Sequence, residues 1–490
     1  MVRSWFMDGR MFLGGAWADG KGEKISVINP ATGETIGEIH DADSTQIDTA
    51  IMAARNSFLE FSRLPASKRA QMLKVLAALV RKNREKLARI MTTEQGKPLN
   101  ESLGEINKLA DAFDFYAEEA VRVHGEIIPN NDDSFQSLVV REPIGVVVAI
   151  TPWNYPAELV GWKLAASLAA GCTIVIKPPE LTPFTVLEIA RLVQQAGVPD
   201  GVVNVVTGKG SVVGQRLIED KRVDKIAFTG SSAVGLKIIQ SSTTVKRLSL
   251  ELGGNCPMIV TAQADIKAAV KGAVRRAFRN MGQICIAINR IYVEREVYED
   301  FLMCFKKNAE ALVIANGLEK PDADLGAMAS NEPLEKTKVH LQDALTKGAR
   351  LISGGSVPEG AAFAKGFFFK PTIVADCTPD MKVMSEETFG PLVGVAPFDS
   401  LSEAVSYAND TQYGLASYVY TKSLDEMRYF SRLLDYGNVA VNNVDAGIIN
   451  APYGGRKQSG IGYEHGREGM LEYFNFKHVR IHFDAPEGGV

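Results

Sequence analysis

The sequence predicts an α/β fold of two units, each a parallel β-sheet with helices packed on both faces. Short apolar segments typical of buried strands alternate with amphipathic segments typical of helices. The alternation restarts after residue 254, which predicts a second unit. The chain has 490 residues, of which 46% are hydrophobic and 23% charged, so its size and composition suit two or three globular domains.

The first unit opens with helices and continues into alternating strands. Residues 44–124 are predicted to be helical because apolar residues recur there every three or four positions. Five buried strands are predicted next: "GVVVAI" (145–150), "TIVIK" (173–177), "VVNVV" (202–206), "VDKIAF" (223–228) and "RLSLEL" (247–252). The clearest helix among them is "TPFTVLEIARLVQQAG", with Thr182 expected as N-cap, Pro183 as first helical residue and Gly197 as C-cap.

The second unit repeats this alternation, with helices such as "YEDFLMCFKKNAEAL" and strands such as "RIYVE" and "GNVAVN". Two segments fit neither unit, residues 126–143 and 472–483, and both are predicted to be exposed strands. They form either a β-flap on the same chain or a pairing surface between subunits. An exposed apolar strand edge is a pairing site, which favours the second alternative.

Composition and charge exclude several classes of function. The net charge is −4 and there is no basic block, so no nucleic-acid partner is expected. The longest apolar run, "LAASLAAGCTIVI", is too short to span a bilayer, and the N-terminal residues are not typical of a signal peptide. The cysteines are odd in number and lack metal-ligand spacing, so we predict a cytoplasmic enzyme without a metal site. They are Cys172, Cys256, Cys285, Cys304 and Cys377.

One cysteine, Cys285 in "FRNMGQICIAINR" (278–290), has surroundings that differ from those of the other four. A free cysteine is most often a buried small hydrophobe, and the alternative is a nucleophile. The preceding Gly-Gln turn would allow a helix to begin there. Backbone N–H groups at a helix start lower the pKa of a thiol and can hold an oxyanion.

Two polar residues at strand ends supply further chemistry. Asn154 follows the strand at 145–150 in "ITPWNYP", and its amide either donates to a developing oxyanion or caps a turn. Glu251 ends the strand of "SLELGGN", where its leucine neighbours should raise the pKa of the carboxyl group, as suits a general base. The alternative for Glu251 is a salt bridge.

A second pair of strand ends predicts a dinucleotide site. Lys177 and Glu180 lie in "IKPPE", where a glutamate can accept hydrogen bonds from a ribose diol and would repel a 2′-phosphate. This favours NAD over NADP, which is possible but less favoured. The junction "FTGSSAVG" (228–235) places a helix N-terminus where a pyrophosphate could bind.

Together these motifs resemble the NAD(P)-dependent aldehyde dehydrogenase superfamily, and most closely its succinate-semialdehyde dehydrogenase-like members. The resemblance spans almost the whole chain, through "VINPATGE", "PWNYP", "KPPELTP", "FTGS", "LELGGN", "FRNMGQIC", "EETFGP" and "NAPYGGRKQSGIG". It implies the aldehyde dehydrogenase fold, in a homodimer or homotetramer. The implied parts are an NAD-binding domain (1–125 and 144–252), a catalytic domain (253–453), and an oligomerisation flap with a C-terminal strand (126–143 and 465–490).

The resemblance also implies a role for each catalytic residue. Cys285 corresponds to the nucleophile, Glu251 to the general base, and Asn154 to the oxyanion-hole amide, which acts with the backbone N–H of Cys285. Lys163 corresponds to a lysine behind the site that tunes the thiol or the glutamate. In the implied reaction the thiolate attacks an aldehyde, hydride passes to a nicotinamide, and Glu251 activates the water that hydrolyses the thioester.

The cofactor site carries over in the same way. Lys177 and Glu180 correspond to adenosine-ribose contacts and Ser231 to a pyrophosphate contact, while Glu387 and Phe389 correspond to contacts with the nicotinamide riboside. The other residues expected at this site are Thr151, Trp153, Gly210 and Leu252.

The sequence says less about which residues bind the substrate. Arg279, six residues before Cys285, corresponds to an arginine that holds the substrate carboxylate in succinate-semialdehyde dehydrogenases. The second such arginine is Trp162 here, and a serine of that subfamily falls at Ile448, so Arg279 is either an anion anchor or a structural residue. The residues expected to line the substrate tunnel are Tyr155, Trp162, Arg279, Ile286 and Tyr453.

The resulting hypothesis is the oxidation of a short semialdehyde with a terminal acidic group. Succinate semialdehyde is the first choice, followed by lactaldehyde-like, sulfonated or phosphorylated three-carbon aldehydes. Two rivals are disfavoured by particular residues. An acylating, coenzyme-A-dependent enzyme would not need the hydrolytic base Glu251, and a non-catalytic structural relative would not need Asn154, Glu251 and Cys285 together.

Overall fold

Two β-sheets organise the part of the chain that the computed structural model describes, residues 7–484. The elements of the first half are β1 (Met11–Leu13), β2 (Ala16–Ala18), β3 (Lys24–Ile28), β4 (Thr35–His40), α1 (Ser44–Ser62), α2 (Ala66–Lys82), α3 (Arg84–Gln95), α4 (Leu99–Ala120), β5 (Glu126–Ile128), β6 (Phe135–Pro143), β7 (Val146–Ile150), α5 (Pro156–Ala170), β8 (Thr173–Lys177), α6 (Pro183–Gln195), β9 (Val203–Val205), α7 (Gln215–Glu219), β10 (Lys225–Thr229), α8 (Ser232–Ser241) and β11 (Arg247–Glu251).

The elements of the second half follow the same alternation. They are β12 (Cys256–Val260), α9 (Ile266–Phe278), β13 (Ile288–Glu294), α10 (Tyr298–Glu310), α11 (Asn331–Thr346), β14 (Arg350–Ser353), β15 (Thr372–Ala375), α12 (Lys382–Ser385), β16 (Leu392–Phe398), α13 (Leu401–Asn409), β17 (Tyr413–Gly414), β18 (Ala416–Tyr420), α14 (Leu424–Leu433), β19 (Asn438–Val441), β20 (Arg456–Lys457), β21 (Gly460–Ile461), α15 (Gly466–Leu471) and β22 (Phe474–His482).

The first sheet has eight strands in the order β2-β1-β9-β8-β7-β10-β11-β21, and its five central strands are parallel. Side chains of β7 alternate between two cores. Val147 and Ala149 pack with α2, α4, α5 and α6, whereas Val146 and Val148 pack with α1 and α8 on the other face. The predicted parallel sheet with helices on both faces is therefore confirmed.

The second sheet has seven strands in the order β14-β15-β16-β13-β12-β18-β19, all parallel except the edge strand β14. Its central strands β12 and β13 are buried on both faces, as a parallel sheet covered by helices requires. The fold is thus α/β with two parallel-sheet units, as predicted.

The two segments predicted to be exposed strands pair with each other. Strand β22 lies antiparallel to β6 from Phe474, opposite Pro143, to His482, opposite Phe135, and β5 pairs with the other edge of β6. Within the described residues this three-stranded sheet leaves large apolar side chains in contact with solvent, since Ile127 is 71% exposed.

The start of α6 differs in detail from the prediction. Thr182 occupies the N-cap position, but its hydroxyl group donates to the carbonyl of Trp153, and the backbone N–H groups of Phe184 and Thr185 are instead capped by the carboxylate of Glu94 in α3. The C-cap is Ala196, and Gly197 follows it with a φ of +73°.

The register of the first sheet brings several predicted site residues to one edge. Ile150 pairs with Lys177, and Thr229 pairs with Glu251, so the carboxyl ends of β7, β8, β10 and β11 lie side by side. Ligands of α/β proteins bind at this edge. Among the described helices, none combines the length and the apolar character needed to cross a membrane.

Candidate active site

Cys285 lies in a turn between α9 and β13, close to the second sheet. After α9 the chain makes a short 3-10 turn over Arg279–Gly282, in which Asn280, Met281 and Gly282 all have positive φ. The predicted helix start at Cys285 was wrong. The β-branched residues that follow Cys285 enter the buried strand β13, which needs extended backbone rather than a helix.

The surroundings of the thiol keep it neutral in the resting protein. Burial raises the pKa of Cys285 to about 12, and a hydrogen bond from Tyr453 opposes this shift. The hydroxyl oxygen of Tyr453 lies 3.3 Å from Cys285 Sγ. The expectation of a pKa lowered by a helix start is therefore replaced by a partly buried thiol whose pKa is raised, although hydrogen bonds from Tyr453 and from the backbone of Ile286 favour the thiolate.

The side chain of Asn154 points toward the cysteine turn. Its Nδ2 donates to the carbonyl oxygen of Gln283 at 3.0 Å, two residues before Cys285. A primary amide carries two hydrogens, so the second one is left for another acceptor. Within the described range Asn154 is buried and lines the same cavity as Cys285, where its second amide hydrogen could reach an oxyanion formed at the sulfur.

Glu251 ends β11 with its carboxylate buried. Among residues 7–484, neither of its carboxylate oxygens has a hydrogen-bond partner. Burial raises the pKa of Glu251 well above its ordinary value, repulsion from Glu464 raises it further, and Lys163 opposes the shift. An isolated carboxyl group of raised pKa can take a proton from water, and this environment agrees with the expectation drawn from its leucine neighbours.

Lys163 of α5 connects this region to a residue that the sequence did not indicate. Its Nζ donates to Glu464 Oε1 at 2.5 Å and to Thr229 Oγ1 at 2.6 Å, and its side chain is fully buried. Glu464 is therefore a second buried carboxylate, bonded to Lys163 and close enough to Glu251 to raise its pKa. The two ends of the Lys163–Glu464 pair are 301 residues apart in the chain, so no local pattern could predict it.

A cavity of about 220 Å³ joins the edge of the first sheet to the cysteine turn. Seven of the predicted site residues line this cavity. They are Trp153, Asn154, Ser231, Leu252, Cys285, Glu387 and Phe389. Lys336 and Glu332 of α11 also line it, and these two were not predicted.

The far end of this edge holds the residues expected at an adenosine ribose. Glu180 Oε1 accepts from the backbone N–H of Gly210 at 2.5 Å, and its Oε2 lies 3.5 Å from Lys177 Nζ. Lys177 Nζ donates to two backbone carbonyls, including that of Gly208 at 2.8 Å. Thr151 is buried nearby at the end of β7, where its hydroxyl group lacks a partner within residues 7–484.

The opposite wall of the cavity carries Glu387 and Phe389. Glu387 Oε1 accepts from the backbone N–H of Gly254 at 2.9 Å, and burial raises the pKa of Glu387 to about 6. Phe389 has a φ of +58°, and its ring meets the edge of Trp153 at 5.4 Å between centroids. A phenylalanine in this strained conformation is held by its surroundings.

His340 of α11, which the sequence did not indicate, holds the segment around Glu387 from behind. Its Nδ1 lies 3.0 Å from Thr388 Oγ1 and its Nε2 lies 3.4 Å from Glu386 Oε2. Burial lowers the pKa of His340. The imidazole therefore contacts both chain neighbours of Glu387.

The donor set of this edge fits a nicotinamide dinucleotide. Ser231 caps α8, whose N-terminus opens into the cavity, as a pyrophosphate site requires. The carboxylates of Glu180 and Glu387, at the two ends of this edge, could each accept hydrogen bonds from a ribose diol. Gly253 allows the close approach between these walls, because a Cβ there would lie 2.8 Å from Glu387 Oε2.

Three of the predicted substrate residues, Trp162, Ile286 and Tyr453, lie around Cys285 but are not among the residues that line this cavity. The Tyr453 ring contacts Trp162 and His465, with centroid distances of 5.9 and 5.3 Å. Ile286 is buried beside Cys285, and its carbonyl accepts from Tyr418 at 2.7 Å.

Arg279 stands apart from this aromatic group. Its Nε lies 3.6 Å from Glu101 Oε2, and its side chain is 23% exposed. Neighbouring Tyr155, and then the carboxylates of Glu101 and Glu158, raise the pKa of Arg279. The guanidinium is therefore charged and already faces one carboxylate of its own chain, with Tyr155 beside it.

Comparisons with known proteins identify the family of this chain. Residues 17–479 match the model of the aldehyde dehydrogenase family. A succinate semialdehyde dehydrogenase of Acinetobacter baylyi is 42% identical over 96% of this chain and 97% of its own length. A 3-sulfolactaldehyde dehydrogenase of Pseudomonas putida is also 42% identical, over 96% of each chain.

A solved structure gives the same result for the fold. The crystal structure of an E. coli NADP dependent enzyme is 39% identical and superposes with a TM-score of 0.95, and the match covers 99% of this chain and 100% of the other. The family model and these relatives span nearly the whole chain, including every residue of the site described above. The chain therefore belongs to the aldehyde dehydrogenase family.

Proposed function

We propose that this enzyme oxidises a short aldehyde with a terminal acidic group to the carboxylic acid, through a thioester on Cys285 and with NAD as the preferred acceptor. One observation carries the proposal. The thiol of Cys285 and the amide of Asn154, which keeps one hydrogen free, line one cavity, and the buried carboxylate of Glu251, which has no hydrogen-bond partner within residues 7–484, is close enough to help raise the pKa of the thiol. Thioester chemistry needs these three groups together, as a nucleophile, an oxyanion donor and a base.

In the first step the thiol of Cys285 gives its proton to solvent water in the cavity that it lines, and the sulfur bonds to the aldehyde carbon. The hydroxyl group of Tyr453 favours the thiolate, since it lies within hydrogen-bond distance of the sulfur. The carbonyl π-electrons move to oxygen, and the second amide hydrogen of Asn154 and the backbone N–H of Cys285 hold the oxyanion. The product of this step is a thiohemiacetal.

A nicotinamide dinucleotide held by Glu180, Ser231 and Glu387 would supply a hydride acceptor. Loss of a hydride from the thiohemiacetal carbon would leave a thioester on Cys285. Glu251 then takes a proton from water, whose oxygen attacks the thioester carbon. The carbon–sulfur bond breaks, the carboxylic acid leaves, and Cys285 is left as the thiolate. Lys163 and Glu464 lie behind Glu251, where they set its proton affinity through their charges.

The preference for NAD rests on Glu180. Its carboxylate is fixed by the backbone N–H of Gly210 and faces the edge where the adenosine ribose would lie. A 2′-phosphate placed there would meet this negative charge. Ser231, Lys177, Glu387, Phe389 and the neighbouring Thr151, Trp153 and Leu252 are the residues that we assign to the dinucleotide.

The acidic end of the substrate is assigned to Arg279. Its guanidinium is charged, and it is already near a carboxylate, Glu101, so a carboxylate ligand can replace or extend that contact. The names of two relatives, succinate semialdehyde dehydrogenase and 3-sulfolactaldehyde dehydrogenase, both describe short aldehydes with an anionic end. We place succinate semialdehyde first.

A sulfonated three-carbon aldehyde is the second candidate. Succinate-semialdehyde dehydrogenases have a second arginine and a serine at two positions where this chain has Trp162 and Ile448. The relative named for 3-sulfolactaldehyde is as similar as the one named for succinate semialdehyde.

The substitution Arg279→Leu tests the assignment. The KM for succinate semialdehyde should rise by roughly 10-fold or more, since a charge-assisted bond of about 1.5–3 kcal/mol is lost, whereas the KM for propanal should stay within about 3-fold. Arg275→Leu is the matched control, because Arg275 lies on α9 one turn earlier and pairs with Asp445. An equal rise for both aldehydes contradicts the anion anchor.

We extend the proposal to the assembly. The first sheet with residues 1–125 and 144–252 would carry the dinucleotide, and residues 253–453 would carry the nucleophile. The flap of residues 126–143 and 465–490 would join subunits through its exposed edge. The five cysteines are free thiols, which supports a cytoplasmic location. Light scattering should then give a dimer or tetramer, and substitution of Ile127 by Glu should weaken it.

A further inference from the structure

A buried ion pair outside the reacting groups, Lys97–Glu105, contacts the backbone of the oxyanion donor. The geometry points to Lys97 and Glu105 as positioning residues that hold Asn154 in its catalytic place. This inference rests on the proposed function, since it assigns a task to two residues that would not touch substrate or cofactor. Both side chains are fully buried, and Lys97 Nζ lies 2.6 Å from Glu105 Oε2.

The ammonium group of Lys97 has a partner for each of its three hydrogens. One is Glu105, and a second is the main-chain oxygen of Asn154, at 2.7 Å from Nζ. The third direction faces the ring of Tyr155, whose centroid lies 3.9 Å from Nζ. Two of the three contacts therefore fall on the consecutive residues Asn154 and Tyr155, which connect β7 to α5.

The carboxylate of Glu105 holds the other end of the same segment. Its Oε1 accepts from the backbone N–H groups of Ala157 and Glu158, at 2.9 and 3.2 Å. These are among the first N–H groups of α5, which lack partners within the helix. Glu105 thus caps α5 from α4, while Lys97 holds the residue two positions before the helix.

Asn154 is consequently fixed from two sides. Its carbonyl accepts from Lys97 and, at 3.0 Å, from Asn280 Nδ2, while its own Nδ2 donates to the carbonyl of Gln283. Asn280 and Gln283 belong to the turn that carries Cys285. These hydrogen bonds therefore fix the position of the Asn154 amide relative to the sulfur of Cys285, and Lys97 is the charged member of this network.

Positioning at this level matters because an oxyanion hole works by preorganisation. A donor must meet the oxygen at about 2.7–3.1 Å, and a displacement of about 1 Å can cost roughly 100-fold in rate. Without Lys97, the carbonyl of Asn154 keeps only the neutral contact from Asn280. We expect the side chain to lose its fixed direction while the thiol chemistry of Cys285 remains.

The test is a double-mutant cycle on the full-length enzyme. The pair variant Lys97→Met/Glu105→Gln removes the ammonium without leaving a buried charge unpaired, and the glutamine oxygen can still accept from the start of α5. It is combined with Asn154→Ala, and kcat and KM are measured with succinate semialdehyde and NAD. Asn154→Ala alone should lower kcat by about 10²–10³-fold.

The pair variant should lower kcat by about 10- to 100-fold in the native background, with less than about 3-fold change in KM. In the Asn154→Ala background it should lower kcat no further, because the group that it positions is absent. Equal losses in the two backgrounds, or a normal kcat for the pair variant, would overturn the positioning role. If Asn154→Ala leaves kcat unchanged, the oxyanion role in the proposed function fails, and this inference fails with it.

Two controls separate positioning from general damage. Lys225→Met removes another fully buried lysine, one that bonds to Ser249 Oγ in β11. It should lower the melting temperature while kcat per folded molecule stays unchanged. The rate at which iodoacetamide alkylates Cys285 should be the same in the pair variant as in the native protein, and a large change would show that the turn itself has moved.

Discussion

Removing the hydroxyl group of Tyr453 should make the thiolate of Cys285 harder to form. Tyr453→Phe keeps the ring packed against Trp162 and His465, so the wall of the site is preserved. It removes the group that lies 3.3 Å from Cys285 Sγ. Burial raises the pKa of this tyrosine well above its ordinary value, so Tyr453 keeps its proton and its O–H can donate to the thiolate.

The magnitude follows from the strength of a neutral donor to a charged acceptor. Such a bond contributes about 1.5–3 kcal/mol, and one pKa unit corresponds to about 1.4 kcal/mol. The pKa of Cys285, which burial already raises to about 12, should therefore rise by roughly one to two units. At a fixed pH below the pKa, the thiolate fraction falls about 10-fold for each unit, so reactivity at pH 8 should fall roughly 10- to 100-fold.

The assay is alkylation by iodoacetamide at pH 8, with the modified peptide identified by mass spectrometry. Only the thiolate reacts, so the rate at Cys285 reports its fraction. Cys304, which is half-buried on α10, serves as an internal reference whose rate should not change. Tyr298→Phe is the control substitution, because Tyr298 bonds to Asp376 rather than to sulfur. An unchanged or faster rate at Cys285 in Tyr453→Phe would refute the proposed hydrogen bond to the thiolate.

Three further predictions concern the base and the cofactor site. Glu251→Gln should leave a rapid burst of one NADH per site while steady-state kcat falls about 10²–10⁴-fold, as stopped flow can measure. Equal losses in the burst and in the steady state would contradict a role of Glu251 limited to hydrolysis. Glu180→Ser should raise the ratio of kcat/KM for NADP to that for NAD by at least about 10-fold, and an unchanged ratio would remove the charge argument. The KM for NAD should rise as the pH falls through about 6, where Glu387 gains a proton and loses acceptor capacity, and Glu387→Gln should abolish this dependence.

The fold was accessible from the sequence because its signals are local. Apolar runs of five or six residues mark the buried strands, and helix periodicity marks what lies between them. The same signals placed Asn154, Lys177 and Glu251 at strand ends, and parallel strands end at a common edge. The register then joins Thr229 with Glu251 and Ile150 with Lys177, as a parallel sheet requires.

Cys285 shows where local reasoning fails. A Gly-Gln turn allows a helix start, but the chain after Cys285 enters the central strand β13 of the second sheet. The preference for extended backbone comes from neighbours in that sheet, which are distant in sequence. Burial by those neighbours also raises the pKa of the Cys285 thiol, whereas the sequence analysis expected a lowered pKa.

Two of the residues that the sequence did not indicate act through partners that are distant in the chain. Glu464 meets Lys163, and His340 meets the chain neighbours of Glu387. Glu105 is the one that left a signal, since it lies at helix spacing between the buried residues Ser102 and Leu109 of α4. A charged residue on the apolar face of a helix indicates a buried partner, but it does not indicate which one.

The central claim is that the substrate becomes a thioester on Cys285. The most direct measurement is intact-mass and peptide analysis of Glu251→Gln protein quenched after mixing with succinate semialdehyde and NAD. We expect one succinyl group per chain, on the peptide that contains Cys285, together with one equivalent of NADH. NADH formation without an acyl group, or an acyl group on any other cysteine, would contradict it.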